Sequence, residues 1–203
     1  MPLQNRVLPT GDIVSISARC TLTGNRGIIH TEGRILGAAR WTHKAWICCV
    51  LDWQGRTRDV MTGRNWTELF FLDEAVAFAA GHRPCGYCRR KAYTQYVDAW
   101  QIATGDRPKA PQMDAILHTS RVHRDRTQVT FLDDIASLPR GAFIRWHDLP
   151  HLVMDHKIYP YTPEGYKPPS PRPRCGKVDV LTPAPTVKVM RAGYTPMIHP
   201  SAV

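Results

Sequence analysis

The chain has 203 residues, a formal charge of +10 at pH 7 and 43% apolar residues, with a pI near 9.6. This composition excludes wholesale disorder. No apolar run reaches the ~18 to 20 residues that a membrane-spanning helix needs, and "MPLQNRVLPTGD" lacks the apolar core of a secretory signal, so the expected location is the cytoplasm, away from membranes. In a reducing compartment the six cysteines point to metal binding or free thiols rather than disulfides, and the positive charge favours anionic partners, nucleic acid first.

Taken in order, "IVSIS" alternates like a strand. "TGNRG" reads as a turn in which Asn25 and the glycines tolerate positive φ. "AWICCVLDW" (45–53) is aromatic and β-rich and predicts a strand, with "TRDV" (57–60) as its hairpin partner. "TELFFL" (67–72) predicts another strand. Asp73 is placed to cap a helix over "EAVAFAA", and Gly81 to end it. In "RRKAYTQYVDAW" (89–100) the apolar residues fall at helical spacing, and 111–126 predicts a further helix. From about 139 the texture becomes β-like. "GAFIRW", "HLVMDHKIYPY" and "KVDVLTP" predict short strands, "YKPPSPRPRCG" an extended loop, and "TVKVMRAGY" a strand or short helix. The expected fold class is α+β: a zinc-stabilised module of hairpins and short helices over 1–110, then a helix and a small β unit over 111–203.

Pro84-Cys85-Gly86-Tyr87-Cys88 is the stretch richest in chemistry. A Cys-x-x-Cys turn lets two thiolates converge on one cation, and zinc takes about four ligands. The other two must come from upstream, where the candidates are His30, Cys48 and Cys49, with Cys20, His43 and His82 behind them. Cys48 and Cys49 would face opposite sides of a strand and so would not share an ion. Arg83, Arg89, Arg90 and Lys91 surround the pair and favour thiolate over thiol.

The order "FFLDEAVAFAAGHRPCGYC", through Phe70, Phe71, Ala75, Ala79, Ala80, Gly81, Arg83, Pro84, Cys85 and Cys88, resembles the second half of the zinc-binding domain of Ada-type DNA alkylation repair proteins. The resemblance implies that Cys85 and Cys88 are zinc ligands. That domain takes its other two ligands from a Cys-x-x-x-Cys segment, which this chain lacks. "TGNRGIIH" followed by a cysteine is closer to related zinc modules that use Gly-Asn…His and a later Cys. The ligand set so implied is His30, Cys49, Cys85 and Cys88, with Cys48 as substitute for Cys49. The whole chain, from "GNRG" to "AGYTPMIHPSA", also resembles a bacterial protein family, a resemblance that carries no functional assignment.

A rival reading takes His30-Thr31-Glu32 with Pro84-Cys85-x-x-Cys88 as a zinc deaminase signature, with Glu32 moving protons. Another takes Asp114, His118 and Arg121 on one helix face as a nuclease-like site, against the plainer reading of a basic helix end. The expected function is a zinc protein that interacts with nucleic acid, in DNA repair or its control. Arg83, Arg89, Arg90, Arg121 and Arg124 are the expected contacts. The alternatives are a zinc-dependent enzyme on nucleic acid or nucleotides, with Glu32 or His118 as catalytic candidates, and a zinc-stabilised interaction protein that meets no nucleic acid.

Overall fold

The computed structural model describes residues 1–56 and 59–203. The fold is α+β. The first half contains β1 (Gln4–Val7), β2 (Ile13–Ser15), β3 (Leu22–Asn25), β4 (His30–Thr31), β5 (Ile35–Leu36), β6 (Ile47–Val50), β7 (Leu69–Phe71), α1 (Glu74–Ala79) and β8 (Arg83–Pro84). Then come α2 (Arg90–Thr104) and α3 (Ala110–Arg121). The second half contains β9 (Phe131–Asp134), β10 (Phe143–Trp146), β11 (Leu149–Val153), β12 (Lys157–Thr162), β13 (Gly165–Tyr166), β14 (Ser170–Pro171), β15 (Lys177–Val180) and α4 (Ala184–Arg191).

One sheet has the order β2-β1-β7-β3-β6-β8 and a second has β13-β12-β11-β10-β15-β9, with β14 beside β12; β4 and β5 form a separate hairpin. In the first sheet β1 runs parallel to β7, and β6 parallel to β8. The second sheet is antiparallel throughout. Its β10–β11 hairpin turns through His147 and Asp148, both at positive φ, the geometry of a two-residue turn that follows strand twist. The second sheet is thus the small β unit that the sequence suggests.

Local chemistry sets the helix ends. Asp73 caps α1 by accepting the Val76 N–H at 2.9 Å, and Gly81 follows at φ +82°. Gly105, left-handed at φ 77°, ends α2 by donating to Gln101. The apolar face of α2 buries Tyr96, Val97 and Trp100, and Tyr96 donates to or accepts from Thr186 of α4 at 3.1 Å. The buried apolar cluster is continuous from Val7 of β1 through α1 and α2 to Val189 of α4.

One expectation needs correction, one falls partly outside the described residues, and one choice between strand and helix is decided. "TGN" belongs to β3, between β6 and β7, and the turn follows it, at Gly27 with φ +99°. Gly24 is in this strand for room: a Cβ there would lie 2.1 Å from the Ile47 carbonyl oxygen. The proposed hairpin partner of β6 falls partly on residues 57 and 58, outside the described residues. The described neighbours of β6 are β3 and β8, so the strand pairs across long sequence separations rather than with the next segment. "TVKVMRAGY" resolves as helix α4, with Pro185 in its first turn, where a missing N–H costs nothing.

Candidate metal centre

β6 and β8 run side by side, with Cys48 opposite Pro84, and the Cys85 N–H donates to the Cys48 carbonyl at 2.9 Å. This ladder carries the chain straight from β8 into the Cys85–Cys88 turn, alongside the end of β6. Side chains alternate along β6, so Cys48 is fully buried while Cys49 points to the other side and is half-exposed. The sulfurs of Cys49, Cys85 and Cys88 all lie within 4.8 Å of one another. Three sulfurs this close can hold a metal ion.

The turn is shaped for a negative sulfur. The Tyr87 N–H points at Cys85 Sγ, 3.4 Å away. Hydrogen bonds from Cys49 and then Cys88 hold the Cys85 thiol far below its ordinary value, and the Tyr87 and Cys88 N–H groups add to this. Cys49 is pushed upward by the same sulfurs, and Cys88 by Cys85 and burial. The pull is downward at Cys85 and upward at Cys49 and Cys88, and a bound cation would favour the thiolate form of all three. On the rim, Tyr87 is exposed and its ring meets Trp53 edge-on at 5.5 Å, which ties the segment after β6 to the turn.

Cys48 has a different role. Arg89 Nη1 lies 3.1 Å from its sulfur and 2.7 Å from Glu74 Oε1. Burial first, and then Glu74, push the Cys48 thiol up to about 12. It is a buried thiol in a charged network, not a fourth member of the cluster.

His30 also stands outside the cluster. Its Nδ1 lies 2.7 Å from Thr67 Oγ1 and its Nε2 3.3 Å from the Gly63 carbonyl, so the ring is engaged with the segment before β7. Among the described residues no fourth Cys, His, Asp or Glu joins the three sulfurs. Glu32 is exposed in a 3-10 turn after β4, and it is not gathered with Cys85 and Cys88 either. The structure thus does not assemble the deaminase constellation.

No protein-family model, curated protein or solved structure matches this chain. Its function is read from its own residues.

The expected arginine contacts divide by burial. Arg83 is 5% exposed and forms a two-pronged ion pair with Asp114, at 2.7 and 2.8 Å. Arg121 is 3% exposed, lies over the Trp46 ring at 3.8 Å and donates to the Gly81 and Lys44 carbonyls. Arg89 is held by Glu74. Arg83 and Arg89 are held in internal ion pairs, which corrects the expectation of surface contacts for these two, while Arg121 is buried against Trp46. Arg90 and Arg124 are exposed, and Arg90 and Lys91 flank Cys88. His118 is engaged too, its ring edge-on to Trp41 at 5.4 Å and Nδ1 3.0 Å from Arg121. With Asp114 neutralised by Arg83, the nuclease-like triad of helix α3 is a packing arrangement.

Sequence reasoning missed Arg26. It is buried 4.0 Å from the Trp46 ring, on a strand-turn segment that gave no signal of charge burial. Only the fold brings its distant partners together.

Proposed function

We propose that Cys49, Cys85 and Cys88 bind a zinc ion as thiolates, and that the protein carrying it interacts with nucleic acid. The observation that carries the metal is the convergence of the three sulfurs within 4.8 Å. An all-sulfur set of this size suits zinc over hard cations, which prefer oxygen. Three protein ligands leave a coordination position for water or an exogenous group, the arrangement of reactive rather than purely structural zinc. The resemblance of the segment through Cys85 and Cys88 to the Ada-type zinc-binding domain supports the same assignment. The nucleic-acid half rests on the +10 charge and on Arg90 and Lys91 beside the cluster.

Elemental analysis of the purified protein should give one zinc per chain. Cys49→Ser, Cys85→Ser and Cys88→Ser should each lose it, while His30→Ala and Cys48→Ser keep it. Wild-type protein without metal would sink the zinc reading, and loss in His30→Ala would restore histidine as a ligand. Binding of a fluorescent DNA duplex should weaken steeply with salt, and more weakly after Arg90→Ala with Lys91→Ala. Salt-independent binding, or none, would remove the nucleic-acid half and leave the metal intact.

A further inference from the structure

An open cavity of about 800 Å³ is lined by Arg26, Arg40, Arg121, Arg126 and Arg145, among others. Among the described residues, the acidic side chains on its wall are Asp12 and Asp125. Both aspartates are engaged locally, Asp12 with the Thr10 hydroxyl at 2.7 Å and Asp125 with Thr127. None of the cavity's lining residues belongs to the cysteine cluster, so the two sites are separate.

Arg26 and Arg121 form the floor. Each is 3% exposed, and their guanidinium carbons lie 4.0 and 3.8 Å from the Trp46 ring. Neither pairs with a carboxylate among the described residues. Their N–H groups go to carbonyls, Gly11 and Ala80 for Arg26 and Gly81 and Lys44 for Arg121, and to the rings of His82 and His118. Carbonyl dipoles satisfy hydrogen bonds but do not cancel two full charges. Arg121 Nε and Gln128 Oε1, both on cavity-lining residues, are buried with no hydrogen-bond partner. Burial lowers Arg26 to about 9, partly offset by the field of Asp12, and burial with the neighbouring Arg26 lowers Arg121 to about 8, partly offset by Asp114. Arginine forks suit planar or tetrahedral oxyanions.

We propose that this cavity binds a phosphate monoester, carried by a nucleotide-sized molecule. A phosphate monoester brings about −1.5 to −2 charge at neutral pH, which answers the two unpaired guanidiniums, and Arg40 and Arg126 complete the shell at the rim. Trp41, half-buried on the wall, offers an aromatic surface to the remainder of the ligand. The source is either a free mononucleotide or the 5′-phosphorylated end of a strand, and the same phosphate contacts serve both.

Titration calorimetry on the full, metal-loaded chain tests this with inorganic phosphate, adenosine, AMP, and a short oligonucleotide with and without a 5′-phosphate. Phosphate and AMP should bind and adenosine should not. Arg26→Gln should weaken AMP binding by about tenfold or more. Because that variant alters a packed residue, Arg40→Gln with Arg126→Gln is the second arm. It should keep the wild-type melting temperature and lose several-fold in affinity. Cys85→Ser should bind AMP normally, which separates failure here from failure of the zinc reading. AMP binding as tightly as the phosphorylated oligonucleotide assigns a free nucleotide; tighter binding of the phosphorylated end assigns a strand terminus. The proposal is overturned if phosphate and AMP do not bind at millimolar concentration, if the unphosphorylated oligonucleotide binds equally well, or if the rim variant binds AMP like wild type.

Discussion

His82 is fully buried between Phe71, with ring centroids 4.6 Å apart, and Trp46, and its Nε2 lies 3.4 Å from Arg26 Nε. Burial first, then Arg26 and Arg121, hold its pKa well below 6.5. The folded state keeps the ring neutral while the unfolded chain takes up a proton below 6.5. This residue's contribution is therefore intact above pH 6.5 and is lost as pH falls below it, by up to about 1.4 kcal/mol per pH unit. The stability gap between wild type and His82→Gln, measured by urea unfolding, should narrow between about pH 7.5 and about pH 5. A gap constant over that range would mean that the unfolded chain gains no proton there. The same scale shows what residue identity reveals. The choice of Cys49 over Cys48 was half legible, since alternation in a strand separates them, though not which of the two faces the turn. Arg83 and Arg121 carry the same side chain as Arg90, and nothing in a list of arginines says which will be buried against Asp114 or Trp46. His30 pairs with Thr67, a neighbour 37 positions away that no local pattern announces.

At the scale of elements, β3 is the strand on which the first sheet turns. It pairs with β7 on one side and β6 on the other, and β6 holds Cys49. The close approach of Ile47 and Phe71 at Gly24 admits no side chain, because the nearest atom is a backbone oxygen that cannot swing away. Gly24→Ala should destabilise the protein by about 1 to 3 kcal/mol and lower its metal affinity with it, as read by denaturant midpoint and by competition with a zinc chelator. Unchanged values would show that β3 and β6 can part without cost. The elements with strong local signals were the legible ones: the Asp73 cap, the Gly81 stop, the periodic face of α2, the short strands after residue 139. "TGN" was not, because a glycine chosen for close packing has the same letter as one chosen for a turn. α4 was ambiguous because valines at 187 and 189 also suit a strand.

Over the whole molecule, the start of α1 fastens the C-terminal segment to the first half. Asp73 accepts from the Tyr166 hydroxyl at 2.7 Å and the His199 N–H at 2.9 Å, and Glu74 accepts from the Tyr194 hydroxyl, the Met197 N–H and Arg89. The four contacts from Tyr166, Tyr194, Met197 and His199 bridge 93 to 126 positions of sequence. The α+β class was legible from the succession of periods along the chain, but this clasp was not, since Asp73 before an alanine-rich helix reads only as a cap. Tyr166 and Tyr194 are buried donors to it.

One short ladder serves both ends of this arrangement. Trp46, beside two guanidiniums, and Cys49, in the sulfur cluster, are three residues apart on extended backbone, roughly 10 Å, and the Arg83 N–H bonds the Trp46 carbonyl while the Cys85 N–H bonds that of Cys48, next to Cys49. Two occupants would then reinforce a single cooperative unit from opposite ends. Each stabilises the folded chain by RT ln(1 + [L]/Kd), so the melting shifts produced by zinc and by AMP should sum when both are present. Calorimetric scans with neither, either and both would show it. A combined shift no larger than the greater of the two would mean that the ends of the ladder unfold separately.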